Sequence, residues 1–327
     1  MSKGARNHHF VSQCYLRGFT AGEQRTSKLF VVDMIKRTAF ETLARNVAAE
    51  RDFNRIDLEA LDPNAVENDL ANFEGKLAPA LKRIRENVSL DDGEDRTIFL
   101  NFVCLLAMRN PRLRERMETF EKTAINRLME LTLSDRKTWE AQVQKARATG
   151  YLAGEGVDYE EVKRHFEGEG FSIEIPRTRH VTIEIRLFDK ILPVLFERRW
   201  TLLKPPPGSA GFVTSDHPFC LMWTDPKMRA GPYGPGLGMR GTEIIFPIAK
   251  DLAAIGVFEG EESVRLLQSE QLVALINGTV IAFAERQVYG QDDRFCYSVH
   301  VDEPPAKARD LLRDYRFRRL RSKDKSL

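Results

Sequence analysis

"RTIFLNFVCLLAMRNP" occupies Arg96–Pro111, and its reading decides the fold class. At about 100° per residue, Ile98, Phe99, Leu100, Phe102, Val103, Leu105 and Leu106 leave no polar face on a helix. Such a helix needs cover on every side, so the pattern predicts a helix in the middle of a bundle. Arg109 stands at its C-terminal end, and Asn110–Pro111 breaks or kinks it there, since proline lacks an N–H and disfavours helical backbone before it. The run contains Asn101 and falls well short of the roughly 18 apolar residues of a bilayer span.

Upstream, Val66, Leu70, Phe73, Leu77, Leu81 and Ile84 recur at helical spacing, with Glu67 and Glu74 on the edge of that apolar stripe. Still earlier, LFVVD (Leu29–Asp33) and an extended stretch ending at Phe40 read as a small hairpin. Downstream, helices are expected from Arg112 to Leu133, from Ser134 to Thr149 and from Arg186 to Phe196. Residues 150–170 combine glycines with a short helical pattern and read as a loosely packed surface connection. Trp200–Leu203, Gly211–Thr214, Thr242–Pro247 and Leu252–Val257 read as strands, and Glu262–Ile276 as a helix.

The expectation is an α+β fold rather than an alternating parallel sheet. It has a short N-terminal β element, a central mostly buried helical bundle, and a C-terminal mixed α/β portion with a small antiparallel or mixed sheet. The regions expected are 1–150 and 151–327, sharing one core, with a basic tail over 309–327.

Lys+Arg of 50 against Asp+Glu of 48 leave a formal charge of +2, so no whole-protein argument favours a polyanionic partner. The four cysteines are scattered without a C-x-x-C pair, which excludes a paired-Cys zinc site and reads as buried thiols in a reducing compartment. With a polar, basic opening and no span-length apolar run, a cytoplasmic protein without a membrane partner is expected. Phosphate-loop, dinucleotide, metalloprotease and nucleophile-elbow motifs are missing.

Three groups of residues invite chemistry. His8 and His9 are adjacent, so on a strand they face opposite sides; either could act as metal ligand or neutral-pH base, or both could be polar packing partners. Phe212–Phe219, "FVTSDHPF", places Asp216 beside His217 at a strand end. That arrangement suits a presented carboxylate, or an Asx-type turn that satisfies backbone N–H groups. Arg109 is the natural partner for Glu74 in a helix–helix bridge, and with Arg17 it could instead grip a phosphate. The C-terminal run carries Arg313, Arg316, Arg318, Arg319 and Arg321 with Tyr315 and Phe317 interleaved. It reads as a solvated terminal segment, or as a docking strip for nucleic acid or a protein partner.

Taken in order, "HHFVSQCYLRGF", "VENDLANFEGKLAPAL", "LLAMRNPRLRE", "TSDHPF" and "IFPIA" resemble a bacterial family of uncharacterised proteins. Its members open with His-His-x-x-Pro-x-x-Tyr-Leu-Arg-x-Phe and carry a later Thr-Ser-Asp-x-Pro turn. Ser12 stands here where that family has proline. The resemblance points to His8, His9, Tyr15, Arg17, Glu74, Arg109 and Asp216 as a set, with Asn277 a weaker match.

Together these residues lead to the expectation of a phosphate-ester hydrolase, nuclease-like, of the kind a bacterial defence or toxin effector would use. His8, His9 and Asp216 would hold a divalent metal ion or activate water, and Glu74 would orient a histidine. Arg17 and Arg109 would neutralise phosphoryl charge, and Tyr15 and Asn277 would contact a nucleotide or nucleic-acid substrate. The competing expectation is a non-enzymatic binding module in which the same residues form a buried polar network.

Overall fold

The computed structural model describes residues 7–56, 62–152, 158–168, 171–229, 231 and 233–317. The chain opens with β1 (Asn7–His9), α1 (Gln13–Arg17), β2 (Lys28–Asp33), β3 (Thr38–Leu43) and β4 (Ala49–Arg51). A helical stretch follows: α2 (Ala65–Asn87), α3 (Gly93–Met108), α4 (Pro111–Thr132), α5 (Arg136–Ala148), α6 (Tyr159–Glu167) and α7 (Arg177–Phe196). Then come β5 (Arg199–Lys204), β6 (Thr214–Ser215), β7 (Cys220–Trp223), α8 (Pro226–Arg229), β8 (Thr242–Ala249), β9 (Leu252–Val257) and β10 (Ser263–Leu266). The described chain closes with α9 (Glu270–Phe283), β11 (Gln287–Gly290), β12 (Cys296–Tyr297) and β13 (Ala306–Lys307).

The fold is α+β. Its contacts divide it into one unit of 1–110 with 181–327 and a second unit of 111–180. Residue 150, where the sequence placed a regional border, falls inside the second unit.

Two sheets carry the first unit. One has the strand order β10-β5-β9-β8-β7, parallel only between β10 and β5. The other has the order β3-β2-β11-β6 and is antiparallel throughout. The N-terminal hairpin is therefore part of a sheet completed by residues more than two hundred positions away, with Phe30 opposite Gly290.

Alternation explains why these strands are apolar on both faces. In β2, Leu29 and Val31 enter one core while Phe30 and Val32 enter another. β8 splits Ile244 and Phe246 from Ile245 in the same way, and β9 splits Ala254 from Ala253. The period of two sends successive side chains to opposite faces, so the strands sit between two helical covers. The first core is closed by α1, α2, α3 and the end of α7, and the second by α9 and the segment running to Phe317.

α3 is the centre of the first core, as its apolar circumference demands: ten of its sixteen residues are buried. Asp92 caps it by accepting from the backbone N–H groups of Glu94 and Asp95, which satisfies donors that the first helical turn leaves open. Arg83 of α2 grips Asp95 bidentately at 2.6 and 3.0 Å and fixes the two helices against each other.

Two sequence expectations are corrected. Glu262–Ile276 is not one helix: Ser263–Leu266 is a strand parallel to β5, and the helix starts only at Glu270. Ser269, with φ −153° and ψ 156°, keeps extended backbone and separates them. Gly211–Thr214 is not a strand over its length, since β6 begins only at Thr214; the short helical pattern within 150–170 is α6, capped by Asp158 through the Glu161 N–H. Among the described residues no helix is long and apolar enough to cross a membrane.

Candidate anion-binding site

β1 pairs with β4, setting His8 opposite Glu50 and His9 opposite Ala49. The pleat turns His8 fully inward and leaves His9 half-exposed, as adjacent strand positions require. Nδ1 of His8 accepts the backbone N–H of Asn54 at 3.0 Å, so this nitrogen's lone pair is already used within the fold. Asn54 is itself buried and donates from Nδ2 to Glu67. Its Oδ1 accepts from Nε of Arg109 at 3.1 Å. Arg109 also donates to the backbone oxygen of His9 and lies over the Phe53 ring, 6.0 Å from its centroid.

Asn54 thus ties β1, α2 and the end of α3 together, a role the sequence reading missed. The expected Glu74–Arg109 bridge is corrected: Glu67 occupies the network and Arg109 is bound to Asn54 and to the β1 backbone. Asn54→Ala removes an acceptor from Arg109 and a donor from Glu67. It is expected to cost about 2 kcal/mol, measured as a fall in urea midpoint with the slope unchanged.

Glu74 belongs elsewhere. With Arg17, Arg25, Arg45, Gln13 and Cys14 it lines an open polar cavity of about 600 Å³, floored by the small side of α2 at Ala71, Gly75 and Ala78. None of the three guanidiniums forms a hydrogen bond or ion pair with any described residue, and neither does the Glu74 carboxylate. Three unpaired arginines in one concavity make it a candidate anion site: a guanidinium presents a planar fork that matches phosphate or carboxylate oxygens.

His9 stands beside this cavity through two of its lining residues. Its Nε2–H donates to the Arg45 carbonyl at 3.3 Å, and its Nδ1 accepts from Gln13 Nε2 at 3.4 Å. A carbonyl can only accept, so the proton sits on Nε2 and the basic lone pair on Nδ1. Burial holds the His9 pKa below 6.5; the Arg45 carbonyl and the charges of Glu74 and Glu67 oppose that shift. The ring is therefore neutral at neutral pH. Cys14 is no nucleophile here, because burial pushes its thiol up to about 11 and a thiol reacts as thiolate.

The pattern over Asn7–Arg294 decides the family: those residues match the one described as proteins of unknown function, DUF4238. The chain belongs to the DUF4238 family. Comparisons with curated proteins and with solved structures give no match.

In this DUF4238 chain the remaining expected site residues lie away from the cavity lining. Asp216 is fully enclosed, and its carboxylate accepts the backbone N–H groups of Glu285, Arg286 and Gln287 at 2.8, 2.8 and 2.9 Å. It is the turn residue, locking β6 to the start of β11. Tyr15 is buried among Phe19, Phe102 and Phe246, its hydroxyl donating to the Pro247 carbonyl and bonded to Thr214, both at 2.7 Å. Asn277 accepts from Val213 N–H and donates to the carbonyls of Gly211 and Cys296. These are internal fasteners, and the expected substrate contacts of Tyr15 and Asn277 are corrected accordingly.

The metal trio of the DUF4238 chain is corrected on geometry as well. His8 and His9 face opposite sides, the Nδ1 atom of each already accepts a hydrogen bond, and Asp216 is spent on three amides. Among the described residues no three His, Cys, Asp or Glu side chains gather into a donor set. Of the basic tail, Arg316 is bound to Asp314 and Glu303, while Phe317 is buried in the second core. Arg313 caps the C-terminal end of the short helical turn Ala308–Leu312. Arg318, Arg319 and Arg321 lie outside the described residues.

Proposed function

We propose that this protein binds a phosphate ester in the Arg17–Arg25–Arg45 cavity and hydrolyses it with His9 as general base. The observation that carries the reading is the set of three guanidiniums left unpaired in one concavity beside a neutral imidazole whose Nδ1 lone pair is met by Gln13 at a long 3.4 Å. Unpaired charge in a folded protein is costly unless solvent or a ligand balances it, and a fixed cluster of like charge favours an anion.

In this scheme the arginines hold the nonbridging phosphoryl oxygens and offset the charge that builds up there. Gln13, at a long 3.4 Å from Nδ1, gives way to water, and Nδ1 takes the water's proton as the oxygen attacks phosphorus. The imidazolium so formed is stabilised by Glu74, whose charge favours protonated His9. The leaving oxygen departs against a guanidinium and is reprotonated from solvent. Every group in this sequence is a side chain on or beside the cavity, and no step needs a metal donor set.

Arg17→Ala tests it. The Arg17 guanidinium makes no hydrogen bond or ion pair with a described residue, so the variant is expected to keep its melting temperature. It should weaken pyrophosphate binding and lower kcat/KM on a nitrophenyl phosphodiester by about tenfold or more, the value of one charge-assisted fork. Unchanged binding by calorimetry in both Arg17→Ala and Arg45→Ala would remove the reading.

A second reading keeps the cavity but not the chemistry: a binding module that retains a phosphorylated partner without turnover. The fully internal employment of His8, Asn54, Glu67, Arg109 and Asp216 favours it, since only His9 and Glu74 remain near the cavity for acid–base work.

A further inference from the structure

Glu74 is out of place in a site built only for phosphate. A carboxylate among three guanidiniums repels a phosphate oxygen, yet it is neither paired with one of those arginines nor hydrogen-bonded to any described residue. The cavity, at about 600 Å³, lies within the range of roughly 300–1,000 Å³ that accommodates a whole small molecule. One phosphate group leaves most of it unfilled. Gly75, next to Glu74 on the lining, adds room: a Cβ built there meets nothing within 4 Å.

From this pairing of three donors-only side chains with one acceptor-only side chain, we infer that the ligand is a phosphorylated ribose. Its phosphate sits on Arg17, Arg25 and Arg45, and its vicinal hydroxyls donate to Glu74. The inference rests on the phosphate-site reading above and adds the class of molecule that fills the remainder of the cavity. An acceptor-only carboxylate is satisfied by two hydroxyl donors, and it weakens several-fold, without abolishing, the binding of a ligand that carries phosphate alone. The phosphorylated ribose can come from a nucleotide or from a free sugar phosphate.

Calorimetry on the full chain separates these statements, with AMP, 2′,3′-dideoxy-AMP, ribose 5-phosphate and pyrophosphate as probes. AMP is expected to bind about tenfold more tightly than its dideoxy analogue, because a site that accepts hydroxyls rejects a ligand without them. Glu74→Ala should shift affinities in opposite directions, weakening AMP to the dideoxy level and tightening pyrophosphate several-fold by removing a like charge. Gly75→Leu should block AMP and spare pyrophosphate, and because the position is exposed and helical it keeps the fold intact. Equal binding of ribose 5-phosphate and AMP identifies the sugar phosphate as sufficient; tighter AMP identifies a nucleotide.

If AMP and dideoxy-AMP bind alike, or if Glu74→Ala moves AMP and pyrophosphate in the same direction, the ribose assignment is overturned while the phosphate site stands. If Arg17→Ala leaves pyrophosphate binding unchanged, the phosphate site itself is overturned.

Discussion

His9→Asn is expected to lower kcat/KM by about 10²–10⁴-fold, the range for removal of a general base, while the melting temperature stays within a few degrees. Asparagine ends short of the Nε2 position, so the long, exposed 3.3 Å contact with the Arg45 carbonyl is lost, at little cost to stability. It also loses the basic lone pair that His9 presents at Nδ1. The pH profile gives the second readout. Because burial holds the His9 pKa below 6.5, the wild-type rate should climb through a midpoint on the acid side of 6.5. It should then be flat near neutrality, where the base is already unprotonated. The residual activity of His9→Asn should lack that rise. A variant that keeps full activity, or one that merely melts early, would show that His9 is a packing residue. The matching control is His8→Asn: His8 is fully buried with its Nδ1 bound to the Asn54 N–H, so its replacement should act on stability first.

Asp216→Asn is expected to change how stability depends on pH. Burial lifts the Asp216 carboxyl to about 6, against the three amide N–H groups that favour its charged form. A carboxyl whose folded pKa is raised contributes stability that is complete below its unfolded pKa and lost as pH rises through the folded one. Wild type should therefore gain on the order of 3 kcal/mol from this group between about pH 6.5 and 4, at 1.36 kcal/mol per pKa unit. The asparagine variant has no such gain. A protonated carboxyl and a carboxamide each keep one purely accepting oxygen, so the variant should lie within about 1–2 kcal/mol of wild type near pH 4. The stability of wild type relative to the variant should therefore fall as pH rises through 6, where the buried carboxyl ionises. Urea unfolding of both at several pH values measures it directly, and since every other titrating group is common to both, the difference isolates Asp216. A wild type that instead loses stability relative to the variant toward pH 4 would mean that the amides outweigh burial.

The buried helix α3 and the hairpin β2–β3 were legible because their signals are unambiguous: no polar face in one, a β-rich apolar run before a turn in the other. β10 was not, because Val264, Leu266 and Leu267 satisfy a period of two and a helical period alike over so short a run. Only the parallel partner β5 decides between them. Glu74 was recognisable because it edges an apolar stripe, and Arg17 because it ends the apolar opening run, although the sequence paired Glu74 with Arg109. Arg25 and Arg45 were not, since an arginine in a loop among 50 basic residues carries no periodic mark. Asn54 was invisible for the same reason. Tyr15, Asp216 and Asn277 were over-read. A polar group amid apolar neighbours looks functional in sequence, but an interior also needs such groups to satisfy its own backbone. Gly211 shows why Asn277 is there: it turns with φ +82°, its carbonyl faces inward, and an added Cβ would meet the Lys250 oxygen at 2.1 Å.

The placement of β11 between β2 and β6 has a consequence during synthesis. At about 5–20 residues per second, β2 leaves the ribosome on the order of 10–50 s before its neighbour at Gln287–Gly290 exists. Throughout that interval the apolar run Leu29–Val32 has one unpaired edge, which is a template for a strand of any nearby nascent chain. The β2–β3 hairpin is thus made long before its second edge is sealed. Slowing translation late in the message should lower the soluble yield of this protein more than slowing it early.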